Sequence, residues 1–294
     1  MMLSATRIGT SLTAALLLAA LLTMAVSKMV LTTGSLAFVS DRDGDAEIYL
    51  VDMDTGFLYQ LTHNLHADFR PAFSPNGQWI AFENDENGNW NIFVMRPNGR
   101  QIRRITDSPA PDTHPAWSPD SRRIAFTSTR GGYGDVYVMG VDGSHIRSLT
   151  NDASWDYDPD WSIHDEVMFG SERDGSCDVY VFSLWDDRLR QLTDATACEG
   201  EAVWSPDGTR VAFTAATLAG SDIYVADADG SHAHNLTLDS AHDFQPAWSP
   251  DGKRLAFASN RRGNWEIYVM SADGNNARRV THHPASDVLP VWWP

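Results

Sequence analysis

The chain has 294 residues, of which 43% are apolar and 11% aromatic, enough to fill a large core. Its net charge is −17 with only two lysines, Lys28 and Lys253. Such a surface repels phosphate backbones, so nucleic acid is excluded as a ligand.

At the amino terminus Arg7 precedes a run from Leu12 to Val26 that is apolar except for Thr13 and Thr23, followed by the small residues Ala25-Val26-Ser27. Residues 1–27 read as a signal peptide cleaved before Lys28. The alternative is an uncleaved anchor, because Ile8 to Val26 just reaches the length of about 20 residues that spans a bilayer. In both cases the rest of the chain is exported to a periplasmic or extracellular location, and the membrane is touched only through this segment. No cysteine directly follows the run, which disfavours a lipoprotein. Residues 28–35 form a linker.

From Leu36 onward one pattern repeats. Phe73, Trp117, Trp161, Trp204, Trp248 and Trp292 recur every 43 or 44 residues, each closing a short apolar strand. After each comes a hairpin and a strand centred on Phe38, Phe82, Phe126, Phe169, Phe213 or Phe257. A third strand carries Ile48-Tyr49 and its equivalents through Ile267-Tyr268, and a fourth ends at Leu61-Thr62 through Val280-Thr281. Turn chemistry supports this order: Ser74 to Gly77, Ser205 to Gly208 and Ser249 to Gly252 are Ser-Pro-Asn/Asp-Gly hairpins. A period in the forties with four short strands per unit predicts an all-β, six-bladed β-propeller over residues 36–294. The chain enters on a second strand and stops on a first strand, Pro290 to Trp293. The C-terminal strand is therefore expected to join the N-terminal three and close the ring without a sheet edge.

A meander sends its second-to-third loops and its blade-to-blade connections to one face. Cys177 lies in such a loop and Cys198 in the connection leaving the same blade, so the pair is a disulfide candidate in an oxidising compartment. The same face carries the aromatics Phe69, Trp90, Tyr133, Trp155, Tyr157, Phe244 and Trp265. Each connection also holds an acid three residues before the proline position: Asp68, Asp112, Asp156, Glu199, Asp243 and Asp287. These six are expected to ring the channel mouth as a partner-binding site, or to serve the architecture by pairing with Arg42, Arg130, Arg173 and Arg261. Glu86 and Thr217 replace that arginine in two blades, and Asp112 and Asp243 are expected to be the free acids. A second ring, Glu47, Asn91, Asp135, Asp178, Asp222 and Glu266, precedes the third strands and reads as architecture. Within the first repeat Asp41, Asp43, Asp45 and Glu47 alternate around Gly44 as oxygen ligands for calcium, although the run lacks the distal glutamate of an EF-hand.

No histidine pair has a zinc-ligand spacing, and no Gly-x-Ser-x-Gly, Ser-x-x-Lys or His-Glu-x-x-His motif occurs. Catalysis assembled across blades needs no local motif, so a metal-dependent channel-mouth enzyme of lactonase, glycan lyase or hydrolase type is the competing reading. Calcium apart, no cofactor is expected.

The unit Asp-x-x-Pro-Ala-Trp-Ser-Pro-Asp-Gly, then Ile-Ala-Phe-x-Ser-x-Arg, then Ile-Tyr-Val-Met resembles the TolB-type (WD40-like) β-propeller repeat. Asp112 to Asp120, Ile124 to Arg130 and Val136 to Met139 carry the resemblance, as do Asp243 to Gly252, Leu255 to Arg261 and Ile267 to Met270. It extends from Leu36 to Pro294. The resemblance implies a periplasmic scaffold of the Tol-Pal envelope type, whose propeller receives a peptidoglycan-associated lipoprotein at its channel mouth. That type also has an α/β domain before the propeller, whereas here only about eight residues separate Ser27 from the first strand. A stand-alone, monomeric TolB-like propeller that binds protein without catalysis is the expectation.

Overall fold

Apolar runs of five or six residues, punctuated by Asn-Gly and Asp-Gly turns, leave short strands no option but to pair with their sequence neighbours. The computed structural model describes residues 31, 34–195, 197–216 and 220–294; the segment 1–27 and Thr217 lie outside these. The described strands form six antiparallel sheets of four. Blade 3 is representative, with strands Asp112–Trp117, Arg123–Ser128, Asp135–Gly140 and Arg147–Ser148 in that order from the inside outward. The other inner strands are Asp68–Phe73 (blade 2), Asp156–Trp161 (blade 4), Glu199–Trp204 (blade 5), Asp243–Trp248 (blade 6) and Asp287–Trp292 (blade 1).

Blade 1 closes the ring as the strand order predicts. Asp287–Trp292 pairs antiparallel with Ser35–Ser40, matching Leu36 to Trp292 and Ser40 to Asp287, and Glu47–Asp52 and Leu58–Gln60 complete the sheet. Among the described residues no helix is long and apolar enough to cross a membrane.

The core lies between blades. Trp117 and Phe126 of blade 3 pack on Ile92 and Val94 of blade 2, Trp161 and Phe169 on Val136 and Val138 of blade 3, and Trp248 and Phe257 on Ile223 and Val225 of blade 5. At the closure Trp292 packs with Leu36 and Phe38 against Ile267 and Val269 of blade 6. Each indole fills the wedge between neighbouring twisted sheets. Arg123, Arg210 and Arg254, from the preceding blades, lie over the rings of Trp161, Trp248 and Trp292 at 4.5–4.7 Å.

Polar contacts repeat with the same step. The threonine just after each outer strand accepts a backbone amide near the start of the third strand, Ile48 to Thr62 through Ile267 to Thr281, at 2.9–3.0 Å in all six blades. In three blades the glycine of the third-to-fourth turn presses on the neighbouring blade. Gly143, at φ +82°, would place a Cβ 2.3 Å from the Ile105 carbonyl oxygen.

Cys177 and Cys198 are bonded, with Cα atoms 4.7 Å apart and a sequence separation of 21. The bridge ties the second-to-third loop of blade 4 to the connection entering blade 5, where the Glu199 amide also donates to the Cys177 carbonyl at 2.8 Å.

Two stability outcomes follow from this packing. Gly143→Ala is expected to lower stability by at least the 1–3 kcal/mol of a strained backbone, roughly, with the Ile105 contact adding to it; a denaturant midpoint equal to wild type would refute the packing. Reduction of Cys177–Cys198 is expected to cost about 3 kcal/mol on the loop-entropy account. A melting curve recorded with and without reductant, alongside intact mass to confirm the two-hydrogen difference, checks it.

Candidate functional site

Each inner strand opens on its acid, and the strand begins by hydrogen-bonding the preceding blade. The amides of Asp68, Asp112, Asp156, Glu199 and Asp287 donate to the carbonyls of Ala46, Trp90, Gly134, Cys177 and Trp265 at 2.7–2.9 Å. This backbone tie carries the carboxyl groups under the loop face. Asp68, Asp112, Asp156, Asp243 and Asp287 are wholly buried and Glu199 nearly so. A ring of exposed carboxylates at the channel mouth is thus not what the six residues build.

Four of them are held in one recurring clasp. Arg130 donates to both oxygens of Asp112 at 2.7 and 2.8 Å, and Arg173 and Arg261 grip Asp156 and Asp243 in the same way at 2.9–3.0 Å. Arg42 reaches Asp287 at 2.7 Å across the ring closure. Every one of these arginines also donates Nε to the serine opposite the acid, Ser128, Ser171, Ser259 or Ser40, at 2.8–2.9 Å. Each guanidinium lies 4.7–5.5 Å from the rings of its blade's Phe–Tyr pair. Bidentate, stacked geometry of this kind suits arginine alone.

The expectation that Asp112 and Asp243 are free is therefore overturned. The acid and the arginine belong to one blade, the acid on the inner strand and the arginine just after the second, so a missing arginine leaves its own blade's acid without that partner. The affected acids are Asp68 and Glu199. At Asp68, Asn84 stands where the four clasp blades have serine and donates to Oδ1 at 2.6 Å, while Asn64 donates to Oδ2 at 2.5 Å. Amides neutralise no charge, and burial raises the Asp68 carboxyl above its ordinary range. Burial likewise raises Glu199, eased by a hydrogen bond from Thr193.

A ring that the sequence reading passed over lies one step further along the inner strands. Each strand carries a β-bulge after its second residue. The third residue of every inner strand takes a left-handed conformation: Arg70, His114, Asp158, Glu201, Gln245 and Leu289 at φ between 49° and 59°. None is β-branched, as that conformation requires. The bulge turns these side chains inward, where they meet across the axis. His114 Nε2 lies 2.6 Å from Asp158 Oδ1, and Arg70 of blade 2 comes within 3.9 Å of the same oxygen in blade 4. Arg70 Nε also lies 3.0 Å from Glu83 Oε1. On the other side Glu201 accepts from the Gln245 amide at 3.0 Å, and Gln245 Oε1 accepts from the Leu289 amide at 2.9 Å.

Electrostatics divide this axial ring. Burial pushes Asp158 up, but His114 and Arg70 outweigh it and hold the carboxyl down at about 2. Glu83 and Glu201, desolvated in the same region, are raised. Asp160, whose Oδ2 accepts the Trp204 amide of the next blade at 2.7 Å, is pushed by burial up to about 6. The ring's signal was present in the sequence: the second x of Asp-x-x-Pro changes chemistry from blade to blade inside a constant frame.

The remaining expected residues fall as follows. Phe69 meets Trp90 edge-on at 5.8 Å, and Phe244 meets Trp265 at 4.2 Å, so both pairs are half-buried, whereas Tyr133 and Trp155 are each 46% exposed. The Glu47, Asn91, Asp135, Asp178, Asp222 and Glu266 ring is buried at the start of the third strands. Asp43, Asp45 and Glu47 bring ligand atoms within 4.8 Å of one another. Asp41 turns away from them and accepts the Ser286 amide at 2.9 Å. Burial, with Asp68 beside it, pushes Glu47 up to about 8, so its carboxyl favours the proton at neutral pH unless a cation displaces it.

With the blades in view the repeat can be compared with known proteins. A family model described as the TolB beta propeller domain matches residues 31–170, and one described as the Tricorn protease N-terminal beta propeller domain matches residues 216–294. Over residues 31–170 the chain matches the TolB-type β-propeller family. The Tol-Pal system protein TolB of Geobacter sulfurreducens is 48% identical over 46 residues, 16% of this chain and 11% of that protein's own length. The crystal structure of TolB from Acinetobacter baumannii superposes with a TM-score of 0.81 at 20% identity, over 89% of this chain and 67% of that one. An oligogalacturonate lyase from Vibrio parahaemolyticus shares the fold at a TM-score of 0.59 and 15% identity, over 86% of this chain and 76% of that one. At such identities the likeness is one of fold.

The axial carboxyls of this TolB-type propeller give a pH outcome. Asp160 has a folded pKa of about 6, above the ordinary 3.8, so its contribution to stability is fully present below about pH 3.8 and is lost as pH rises through 6. Asp158, held at about 2, behaves oppositely and matters only in strong acid. Asp160→Asn is expected to gain on wild type between pH 4 and 7 by at most about 3 kcal/mol. Chemical denaturation at those two pH values tests this, and parallel curves for the two proteins would contradict it.

Proposed function

We propose that the chain is an exported, non-enzymatic protein-binding scaffold that presents the loop face of its propeller to a partner in the cell envelope. The observation that carries this reading is the rigid aromatic ledge at the boundary of blades 3 and 4. The Trp155 ring sits in the space that Gly134 leaves by having no side chain: a Cβ there would stand 2.6 Å from Trp155 Cε3. An indole that is 46% exposed yet wedged in this way loses little conformational freedom on binding. Tyr133, equally exposed, directly precedes Gly134 in the chain, and the inner strands of the same two blades carry the His114–Asp158 pair. Large aromatics next to desolvated polar groups are the composition of protein-binding hot spots.

The likeness to a Tol-Pal system protein supports an envelope setting, and the signal-like composition of residues 1–27 supports export. A peptidoglycan-associated lipoprotein is the partner class to test first, with the propeller acting as a monomer. No cofactor is assigned. If a hard cation such as calcium binds, Asp43, Asp45 and Glu47 supply its oxygen ligands.

The test pairs the wild-type chain with a Tyr133→Ala, Trp155→Ala double variant of matched melting temperature. Purified peptidoglycan-associated lipoprotein from the same cells is titrated against each by calorimetry. A loss of about 2 kcal/mol or more, roughly 30-fold in Kd, is expected for the variant. Equal affinity of the two proteins would remove the ledge from the interface, and absence of binding by the wild type would reject this partner class.

A further inference from the structure

Blades 1 and 4 share one local device around the third-strand tyrosine; blade 3 has Gly131 and Ser148 at the corresponding positions, and blade 6 places arginines there. In blade 4 the Tyr180 hydroxyl donates to Asp174, and in blade 1 Asp43 lies hydrogen-bonded to Tyr49 and accepts from Gln60. Both acids occupy the position just after the clasp arginine. In blade 6 that position is Arg262. The residue opposite the tyrosine on the outer strand changes in step, from Gln60 opposite Tyr49 and Gln191 opposite Tyr180 to Arg279 opposite Tyr268.

Two consequences are visible in blade 6. The Tyr268 hydroxyl, in a side chain only 5% exposed, has no hydrogen-bond partner among the described residues. A buried hydroxyl without a partner is unfavourable, so the geometry favours an acceptor here. The second consequence is a cavity of about 490 Å³, lined by Tyr268 together with Arg261, Arg262, Arg278, Arg279 and His282. Two of these arginines are already neutralised, Arg261 by Asp243 and Asp239 and Arg279 by Glu266. Arg262 and Arg278 are exposed and make no ion pair among the described residues. An unbalanced basic cavity in a chain of net charge −17 is not the product of overall composition.

We propose that this cavity binds an oxyanion-bearing small molecule or headgroup, with Arg262 and Arg278 compensating the anion's charge and Tyr268 Oη donating a hydrogen bond to it. The chemistry is that of phosphate or carboxylate, both of which match guanidinium geometry. The volume falls within the roughly 300–1,000 Å³ of small-molecule sites and exceeds what a bare phosphate fills, so the oxyanion would be one end of a larger group. The site lies at the outer edge of blade 6, independent of the aromatic ledge between blades 3 and 4.

Calorimetric titration of the intact chain with inorganic pyrophosphate, and in parallel with citrate, tests the proposal. Saturable one-site binding of at least one anion is expected; pyrophosphate alone assigns a phosphate group, citrate alone a carboxylate, and both a general oxyanion site. Arg262→Asp, which restores the acid of blades 1 and 4 at an exposed position, should weaken binding at least tenfold, and Tyr268→Phe several-fold. Arg147→Ala on the outer strand of blade 3 should leave it unchanged. The proposal is overturned if neither anion gives a saturable isotherm, or if Arg262→Asp titrates like wild type while melting normally.

Discussion

The constraint on which the propeller depends is the burial of a carboxyl group at the start of each inner strand. Blade-to-blade connection requires the chain to turn from an outer strand to the ring's centre in eight residues, and the acid's amide is spent on the preceding blade's loop while its side chain goes under the surface. An ionised group there must be compensated locally, because little water reaches it. Four blades solve this with an arginine paired to the acid, bonded to a serine and stacked on the blade's two aromatic rings; in three of them it reaches both carboxylate oxygens, and in blade 1 it reaches one. One guanidinium thereby joins inner strand, second strand, loop and core, and in blade 1 it joins the two ends of the chain.

The blades that lack the arginine show what the constraint tolerates. Blade 2 exchanges the serine for Asn84 and recruits Asn64, replacing a cation by two neutral donors; the carboxyl then leans toward its protonated form. Blade 5 has a longer acid, Glu199, an alanine opposite it at Ala215, and the Cys177–Cys198 bridge across its entrance. Where the clasp is missing, the chain thus carries another means of holding the strand entry. The regular part of the repeat serves the ring, and departures from it accumulate on the loop face, along the axis and at the outer edge of blade 6.

Much of this was legible in residue order. The aromatic ruler, the turn dipeptides and the half-blades at Leu36 and Trp292 sufficed for blade number, strand order and closure, because each depends on neighbours in sequence or on a fixed step of 43 or 44 residues. The proximity of Cys177 and Cys198 followed from the same topology. Pairing of acid with arginine was legible in kind and misplaced by one blade, since Asp112 lies on a connection between the blade of Glu86 and the blade of Arg130 and only the sheet register says which of the two it serves. The axial ring was not legible as a ring: Arg70, His114, Asp158, Glu201, Gln245 and Leu289 share no residue type, and their convergence rests on a bulge that a period-two strand does not announce.

Sequence by itself determined the fold and its closure, because local turn chemistry and a repeated apolar pattern leave short meanders one way to bury their faces. Tertiary structure alone decided which carboxyls are compensated, which side chains meet across the axis, and where a tyrosine hydroxyl is left without an acceptor. Those outcomes depend on distances of a few ångströms between residues tens of positions apart, a range over which a hydrogen bond is made or lost and a charge pair weakens severalfold.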